Sequence, residues 1–314
     1  MEKVETIIEV KNLCKYFRSK DGIHKAVDNI SFMIQKGKVV GFVGPNGAGK
    51  TTTIKMLVGL VKPTNGEIRI KGKDINSVDV KALIGYVPDN TVLYSNMLPL
   101  YYLVYMAELA GVEKEKAKQL AVYYLELFGL KEAMGKKIGG FSSGMKQKLL
   151  IAQALLHNPE VLILDEPTTA LDPLGQDQLL NILKVLSKNK GVTILISSHH
   201  LEELEKIADH IIVIQKGKIT IDSDVERLKG SQASMLELKV NDLNRAYGVL
   251  INKFKFANIS IEENKIMISA VGLENIKKDI IQAVIESGIE LLSFEIKTKS
   301  LWDTIINALK EEAK

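Results

Sequence analysis

Residues 44–51 read Gly-Pro-Asn-Gly-Ala-Gly-Lys-Thr, a spacing that suits the binding of several phosphate groups. Glycines let the backbone curl tightly and approach a ligand closely, so that successive N–H groups can surround an anion. An apolar run at 39–43 precedes this segment, and a helix-forming run at 51–57 follows it. In this strand–loop–helix order the helix N-terminus lies beneath the phosphates. The segment is therefore predicted to bind a nucleoside triphosphate.

Individual residues of this phosphate loop have separate expected roles. Lys50 is expected to reach the β- and γ-phosphates, and the Thr51 hydroxyl is expected to be a ligand of Mg²⁺. The other predicted phosphate-binding residues are Gly44, Asn46, Gly47, Ala48, Gly49 and Thr52. A glycine-rich turn with a chance lysine is the alternative, and the flanking strand and helix argue against it.

Two adjacent carboxylates, Asp165 and Glu166, follow the apolar run 161–164. Such a run is typical of a strand that is buried on both faces, and open parallel sheets bind ligands at the carboxyl ends of their strands. Because neighbouring strand residues point to opposite sides, we expect the two carboxylates to act differently. Asp165 would hold Mg²⁺, directly or through water, and Glu166 would polarise the attacking water. Pro167 is expected to end the strand. A pair of solvated acids is the alternative.

A histidine follows a third apolar strand. His199 comes after the run 192–196 and precedes a glutamate-rich segment. At a strand end its ring could donate a hydrogen bond to a γ-phosphate oxygen. On chemistry alone His200 is an equal candidate. The five histidines and the single Cys14 show no metal-ligand spacing, so no zinc or iron site is predicted.

Taken in order, these segments resemble the ATP-binding cassette (ABC) ATPases. Residues 141–145, Phe-Ser-Ser-Gly-Met, are similar to the signature motif of that family, which is usually Leu-Ser-Gly-Gly-Gln. Residues 170–172 are similar to its D-loop, and residues 197–199 to its switch-histidine segment, which selects His199 over its neighbour. The resemblance covers about residues 6–225 and implies ATP and Mg²⁺ as cofactors.

The resemblance implies that two cassettes pair head to tail, with each ATP between the phosphate loop of one and the signature of the other. Ser142 would offer its hydroxyl and Gly144 an unobstructed N–H to the γ-phosphate, at the positive end of the following helix. An ordinary N-cap before an amphipathic helix is the alternative. In the family an aromatic residue stacks on the adenine, and the register favours Phe17, with Tyr16 as the reserve.

Two departures from the usual family pattern matter, one in the signature and one at Asp89. Ser143 replaces a glycine and Met145 a glutamine of the signature. Asp89 stands where the family usually has a glutamine that links the Mg²⁺ site to the transmembrane partner. Aspartate is shorter and, while ionised, cannot donate a hydrogen bond. Our hypothesis is that Asp89 still reaches the nucleotide and metal site, through a water, and alters the coupling. An Asp89→Gln variant with unchanged ATPase rate and unchanged stimulation by its partner would contradict it.

Composition limits the classes of function. With 46% hydrophobic and 25% charged residues, the chain has the composition of a globular protein, and its 314 residues accommodate two domains. No run reaches the roughly 18–20 apolar residues of a membrane helix, and the polar N-terminus does not resemble a signal peptide. We therefore expect a cytoplasmic protein, peripheral on the inner face of the cell membrane. A net charge of +4 without a block of like charge gives no indication of a nucleic-acid partner.

The predicted fold is α/β: a P-loop NTPase cassette at 1–225, with a mixed or parallel sheet and a helical subdomain at about 90–158. In that subdomain the face 100–105 is a candidate partner surface, and an ordinary core helix is the equally favoured alternative for any one of its residues. A small α+β accessory domain is predicted at 235–314, in the βαββαβ order of ferredoxin-like folds. Its elements are expected at 235–240, 242–254, 256–262, 265–271, 273–287, 289–298 and 301–312. The segment 299–305 loosely resembles the C-terminal end of drug- and bacteriocin-exporter ATPases.

RNA-recognition domains share the topology of this accessory domain. They carry stacking aromatic residues on their central strands, whereas 259–261 and 266–269 have none, so RNA binding is not expected.

Three functions compete at this point. The first is the ATP-hydrolysing subunit of an exporter, which would work with a separately encoded transmembrane permease and a second cassette subunit, identical or related. The second is a soluble cassette ATPase that acts on ribosomes or DNA. Such proteins usually have two cassettes or a coiled-coil insertion, whereas this chain has one phosphate loop and no sustained heptads. The third, a regulator without turnover, is disfavoured by intact Asp165, Glu166 and His199. The sequence does not indicate the transported substrate.

Overall fold

The computed structural model describes residues 5–20, 22–230, 234–270 and 273–298. The chain divides into two compact units after Val225. Within the described ranges, we find no helix with the length and apolarity that a bilayer crossing requires.

The first unit contains ten strands and eight helices among the residues that the structure describes. The strands are β1 Thr6–Ser19, β2 Gly22–Gln35, β3 Val39–Val43, β4 Asn65–Ile70, β5 Lys73–Asp74, β6 Ile84–Val87, β7 Val161–Asp165, β8 Thr193–Ser198, β9 His210–Gln215 and β10 Lys218–Asp224. The helices are α1 Lys50–Leu57, α2 Val78–Lys81, α3 Pro99–Leu109, α4 Lys114–Leu127, α5 Ser143–Ala154, α6 Pro173–Lys190, α7 Leu201–Glu205 and α8 Val225–Gly230, the last of which spans the division between the units. Short 3₁₀ turns lie at Lys131–Ala133 and Ile138–Gly140.

A six-stranded sheet in the order β10-β9-β3-β8-β7-β6 positions the functional residues. The five strands from β9 to β6 are parallel, and β10 is antiparallel to β9. Strands β3, β7 and β8 are buried along their whole length, as their continuous apolar sequences predict. In the register, Val43 pairs with Ser198 and Ser197 with Asp165. The segments that follow these three strands therefore emerge side by side at one edge of the sheet.

A second, antiparallel sheet has the order β2-β1-β4-β5. It shares a hydrophobic core with the central sheet and with α1. Phe32 of β2 and Phe42 of β3 belong to that core, and their ring centroids lie 6.0 Å apart. The resulting layer places β1 and β2 near the phosphate loop.

The helical region contains α3, α4 and α5, inside the predicted range 90–158. The structure corrects the proposal that 100–105 forms one partner surface. Tyr102 and Leu103 are buried in the core, whereas Tyr101 and Tyr105 are 65% and 44% exposed. A helix sends successive side chains to different sides, so a continuous apolar run serves both the core and the surface.

The second unit confirms the βαββαβ order. Its described elements are β11 Ser234–Val240, α9 Leu243–Lys253, β12 Asn258–Glu262, β13 Lys265–Ser269, α10 Leu273–Glu286 and β14 Leu291–Thr298. The antiparallel sheet has the order β12-β13-β11-β14, and apolar residues of both helices and the sheet share one core. Helix α9 starts at the cap Asp242, whose carboxylate accepts from the Arg245 N–H at 3.1 Å. The helix predicted at 301–312 and the resemblance at 299–305 lie outside the described residues.

Candidate nucleotide-binding and hydrolysis site

The phosphate loop connects β3 to α1, and glycine is required at several of its positions. A Cβ at Gly44 would lie 2.2 Å from the Ile214 carbonyl oxygen. A Cβ at Gly49 would lie 2.4 Å from the Ala26 carbonyl oxygen, and Gly49 also has a φ of 111°. Gly47 is in open space with a φ of 78°, so its backbone conformation alone favours glycine. These constraints hold the loop in one shape at the N-terminus of α1.

Lys50 is the first residue of α1, and its side chain is 5% exposed. Its ammonium donates to the Gly44 carbonyl at 2.6 Å and to the Pro45 carbonyl at 3.4 Å. It also forms an ion pair with Glu166, with 3.3 Å between Nζ and Oε1. The cation therefore lies inside the curl of the loop, where a phosphate would meet it.

Asp165 ends β7 and is 1% exposed. Its Oδ1 accepts from the Ser197 hydroxyl at 2.6 Å and from the Thr51 hydroxyl at 3.3 Å. Burial raises the pKa of this carboxyl group, and the bonds from Ser197 and Thr51 oppose that effect. Oδ2 is buried and has no hydrogen-bond partner among the described residues. A buried, unpaired carboxylate oxygen beside a hydroxyl group is a donor set that suits Mg²⁺.

Glu166 lies just beyond β7, with a φ of 51°. The expectation that strand alternation separates the two carboxylates is wrong, because the strand ends at Asp165, before Pro167. The left-handed backbone at Glu166 redirects its side chain instead, and such strain is typical of functional sites. The Glu166 N–H donates to the Ser197 hydroxyl at 2.9 Å. Ser197 therefore bonds both carboxylate residues at once.

His199 contacts Glu166 directly, with 2.8 Å between Nδ1 and Oε2. An ionised carboxylate only accepts, so Nδ1 carries the proton in this pair and Nε2 points elsewhere. The His200 ring contacts the His199 ring at a tilt, with 3.9 Å between the ring centroids and 46° between the ring planes. The backbone of His200 bonds the Ser198 hydroxyl. The structure thus brings His199 to the Glu166 carboxylate, whereas the ring of His200 lies against the ring of His199.

A cavity of about 290 Å³ lies between the phosphate loop, β1 and the carboxylate residues. It is lined by Phe17, His24, Ala26, Pro45, Asn46, Gly47, Gly49, Lys50, Thr51, Thr52, Asp89 and Glu166. The ring of Phe17 is 44% exposed at this cavity, whereas the Tyr16 hydroxyl donates to Asp28 at 2.7 Å. Phe17 is therefore the aromatic side chain at this cavity, and the Lys15 ammonium lies over its ring, 5.1 Å from the centroid. Asp89 lies at the cavity and accepts from the Asn90 side chain at 3.0 Å.

The segment 141–145 lies at a different cavity, of about 490 Å³, which shares no lining residue with the first. Ser142 is the N-cap of α5, and its hydroxyl accepts from the Met145 N–H at 3.2 Å. A Cβ at Gly144 would lie 2.8 Å from the Leu171 side chain. The residues 170–172 thus pack against the start of α5. Within one chain, Ser142 and Gly144 do not line the cavity of the phosphate loop.

Comparisons with known proteins decide the family. A family model described as ABC transporter matches residues 27–169. The bacitracin transport ATP-binding protein BcrA of Bacillus licheniformis is 35% identical over 98% of this chain and 98% of its own length. The chain belongs to the ABC transporter family. The linearmycin resistance ATP-binding protein LnrL of Bacillus subtilis is 34% identical over 96% of this chain and 97% of its own.

Solved structures agree with this membership. The ABC cassette MJ0796, as a dimer in a post-hydrolysis state with ADP and Pi, superposes with a TM-score of 0.65. It is 26% identical over 70% of this chain and 99% of that chain. An ATP-binding subunit of another ABC transporter superposes with a TM-score of 0.63. It is 30% identical in sequence, and the match covers 71% of this chain and 92% of the subunit. The predicted ABC fold and the predicted ATPase subunit of a transporter are confirmed, and the alternative of a ribosomal or DNA-acting cassette is not favoured.

Two residues of this ABC site were not singled out from the sequence. Ser197 was considered only as part of a motif, although a serine at the end of a buried apolar strand beside β7 is a usable indication. His24 pairs with Phe17 across the β1–β2 ladder and reaches the same cavity. No local pattern indicates His24, because its place depends on the pairing of two long strands.

Proposed function

We propose that this ABC subunit hydrolyses Mg²⁺-ATP to drive an exporter whose membrane permease is a separate chain. The observation that carries the proposal is the chain of contacts from Lys50 through Glu166 to His199, beside the unpaired oxygen of Asp165. Relatives that align over nearly the whole chain are named for bacitracin transport and linearmycin resistance. Export is the direction that these names favour.

The contacts define what each side chain does. When bound, Mg²⁺ would neutralise charge on the β- and γ-phosphates, held by Thr51 and Asp165. Glu166 accepts a hydrogen bond from the attacking water and orients it. His199 is held by Glu166 through Nδ1, and in the imidazolium form, which carries a proton on both nitrogens, Nε2 would donate to a γ-phosphate oxygen. Lys50 compensates the negative charge of the phosphates that bind in the loop.

The ion pair between Lys50 and Glu166 connects phosphate binding to the catalytic base. Lys50 now donates to the Gly44 carbonyl and contacts Glu166. A γ-phosphate that enters the loop offers Lys50 a more strongly charged partner than either oxygen. Lys50 would then move from Glu166 to the phosphate, and Glu166 would become free to bind water. The base is thereby released only when a triphosphate is present.

The proposed partners complete the site and connect it to the membrane. Because Ser142 and Gly144 line a separate cavity, they would act on the ATP of a second cassette subunit. The exposed residues Tyr101, Tyr105 and Leu109 of α3 are the proposed contact with the permease, and the subunit is proposed to lie on the inner face of the membrane. Bacitracin and linearmycin are the first compounds to test as substrates.

The test compares Glu166→Gln with Glu160→Gln in the purified subunit. Glutamine keeps the size of Glu166 but cannot take a proton, so hydrolysis should fall by about 100-fold or more while ATP still binds. Glu160 forms ion pairs with Lys71 and Lys36, and its variant should keep the parental rate. An unchanged rate in Glu166→Gln would contradict the assigned base.

A second experiment tests the partner. The tagged chain is purified from detergent-solubilised cells, and the bound proteins are identified by mass spectrometry. A stoichiometric polytopic membrane protein supports the transporter, and its proteoliposomes allow the two antibiotics to be assayed. Recovery of ribosomal or DNA-repair proteins without a membrane partner would overturn the proposal.

A further inference from the structure

Tyr86 carries a buried hydroxyl group that the mechanism above does not use. It lies on β6, and its ring packs against the hydrophobic core of the first unit. Its hydroxyl oxygen is buried and has no hydrogen-bond partner among the described residues. Leaving a buried polar group unpaired destabilises the folded state, so such a group calls for a partner such as a water or an ion.

The sheet register places Tyr86 beside the metal-binding carboxylate. Tyr86 of β6 pairs with Ile163 of β7, and Asp165 follows Ile163 by two residues. Residues two apart on a strand lie on the same face of the sheet, so Tyr86 and Asp165 share one face near its carboxyl edge. Asp89 follows β6 at the same edge and lines the nucleotide cavity.

The electrostatic surroundings agree with this placement. The pKa of Tyr86 is raised to about 12; burial is the largest cause, and the negative charges of Asp165 and Asp89 add to it. The hydroxyl therefore keeps its proton at neutral pH and is available as a donor. Asp165 has an unpaired acceptor in Oδ2. A donor and an acceptor thus lie on one face of the sheet, influence each other electrostatically, and do not bond directly.

We propose that Tyr86 is a positioning residue for the cation, whose hydroxyl donates to a water of the Mg²⁺ shell beside Asp165. The inference rests on the proposed function, because it needs Mg²⁺-ATP at this site. Mg²⁺ keeps several of its waters in proteins, and those waters need oriented acceptors and donors around them. A fixed donor beside Asp165 would hold one such water and so favour the metal-bound nucleotide over the metal-free one.

Tyr102 provides a matched control. It is also a buried tyrosine, and burial raises its pKa to about 12 as well. Its hydroxyl donates to the Gln153 side chain in the helical region, and it does not line the nucleotide cavity. Tyr102→Phe therefore removes a buried phenol hydroxyl in a place where no effect on metal binding is expected.

The experiment measures binding in the Glu166→Gln background, where ATP is not consumed. ATP affinity is determined by calorimetry with and without Mg²⁺, and cation affinity by the paramagnetic resonance of Mn²⁺ in the presence of ATP. Tyr86→Phe should weaken cation affinity about three- to tenfold, the range for one net hydrogen bond, and leave metal-free ATP binding unchanged. Tyr102→Phe should change neither quantity.

The outcomes separate the inference from the proposed function. Cation affinity within twofold of the parent in Tyr86→Phe, accompanied by a higher melting temperature, would overturn the inference, because the hydroxyl would then be only an unpaired core group. Equal weakening of metal-free and metal-bound ATP would also overturn it, as a structural defect. If the Glu166→Gln parent itself binds ATP equally with and without the cation, the proposed function fails together with the inference.

Discussion

The hydroxyl of Ser197 is the link between the two carboxylate residues, and Ser197→Ala tests this directly. It donates to Asp165 at 2.6 Å and accepts from the Glu166 N–H at 2.9 Å, in a fully buried position. A hydrogen bond to a charged group contributes about 1.5–3 kcal/mol and a neutral one about 0.5–1.5. Their sum predicts a loss of about 2–4.5 kcal/mol in the free energy of unfolding.

The adjacent Ser198 is the control. It is also buried, but among the described residues its hydroxyl bonds the backbone of His200 and neither carboxylate residue, at 2.8 and 3.2 Å. Ser198→Ala should therefore lose about 1–3 kcal/mol, the sum for two neutral hydrogen bonds and less than the loss expected for Ser197→Ala. The ATPase rate should fall in Ser197→Ala, because the Glu166 backbone loses its anchor, and should stay near the parental rate in Ser198→Ala.

The pH dependence follows from Asp165. Burial raises its pKa in the folded state, and the Ser197 bond lowers it, so Ser197→Ala raises it further. A carboxyl group with a raised folded pKa costs stability at neutral pH. That cost disappears as the pH falls through the folded pKa towards the unfolded value of about 3.9. The difference in stability between Ser197→Ala and the parent should therefore shrink as the pH is lowered through this window.

Calorimetric melts without nucleotide or cation measure the effect. The transition that Mg²⁺-ATP shifts upward belongs to the first unit, since ligands stabilise the unit that binds them. In a unit of this size, each kcal/mol lost from the free energy of unfolding lowers the melting temperature by about 2–4 °C. Equal losses in Ser197→Ala and Ser198→Ala, or an unchanged ATPase rate in Ser197→Ala, would refute the bridging role.

Three further predictions test the loop, a surface ion pair and the adenine platform. Gly49→Ala should abolish ATP binding and lower the melting temperature, because its Cβ would lie 2.4 Å from a carbonyl oxygen of β2. In Gly47→Ala the new Cβ meets no atom, so this variant should lose only about 1–2 kcal/mol of stability for its left-handed backbone. Equal melting temperatures of the two variants would contradict this prediction. The Asp222 carboxylate makes the largest contribution to raising the pKa of His210, and the Asp224 carboxylate adds to it. The resulting stabilisation of the folded state is complete below about pH 6.5, the unfolded pKa of histidine, and is lost as the pH rises through the folded pKa. Asp222→Asn should therefore lower the melting temperature below that pH and leave it unchanged in alkali. Phe17→Ala should weaken ATP binding by about 1–3 kcal/mol, the range for the stacking of a base on an aromatic side chain, and should leave the melting temperature unchanged. An unaltered ATP affinity, measured by calorimetry, would exclude stacking on Phe17.

Local sequence patterns predicted most of the elements around the site. The phosphate loop, the buried strand before Asp165 and the strand before His199 were all recognisable, because a continuous apolar run and a glycine-rich loop are short-range signals. The βαββαβ order of the second unit was likewise readable from alternating periodicity, and its described elements begin and end within a few residues of the expected positions.

Other features required pairing between distant parts of the chain. From the sequence, 100–105 was either a partner face or part of a core helix; packing buries Tyr102 and Leu103 and leaves Tyr101 and Tyr105 exposed. A periodic pattern does not say which side of an apolar helix faces the core when nearly every position is apolar. The separation of the two cavities is likewise a property of the packed unit, and no spacing along the chain expresses it.

The sequence by itself determined which residue types meet a triphosphate, because phosphate binding needs glycines, a lysine and a helix start within eight consecutive positions. Only the tertiary structure decided how the carboxylates of Asp165 and Glu166 are held. The contact of Ser197 with Asp165 joins residues 32 apart, and that of Lys50 with Glu166 joins residues still more distant. Such contacts exist only after the parallel strands have found their register. The left-handed backbone at Glu166 persists for the same reason, since the packed strands around it resist the relaxation that an isolated segment would undergo.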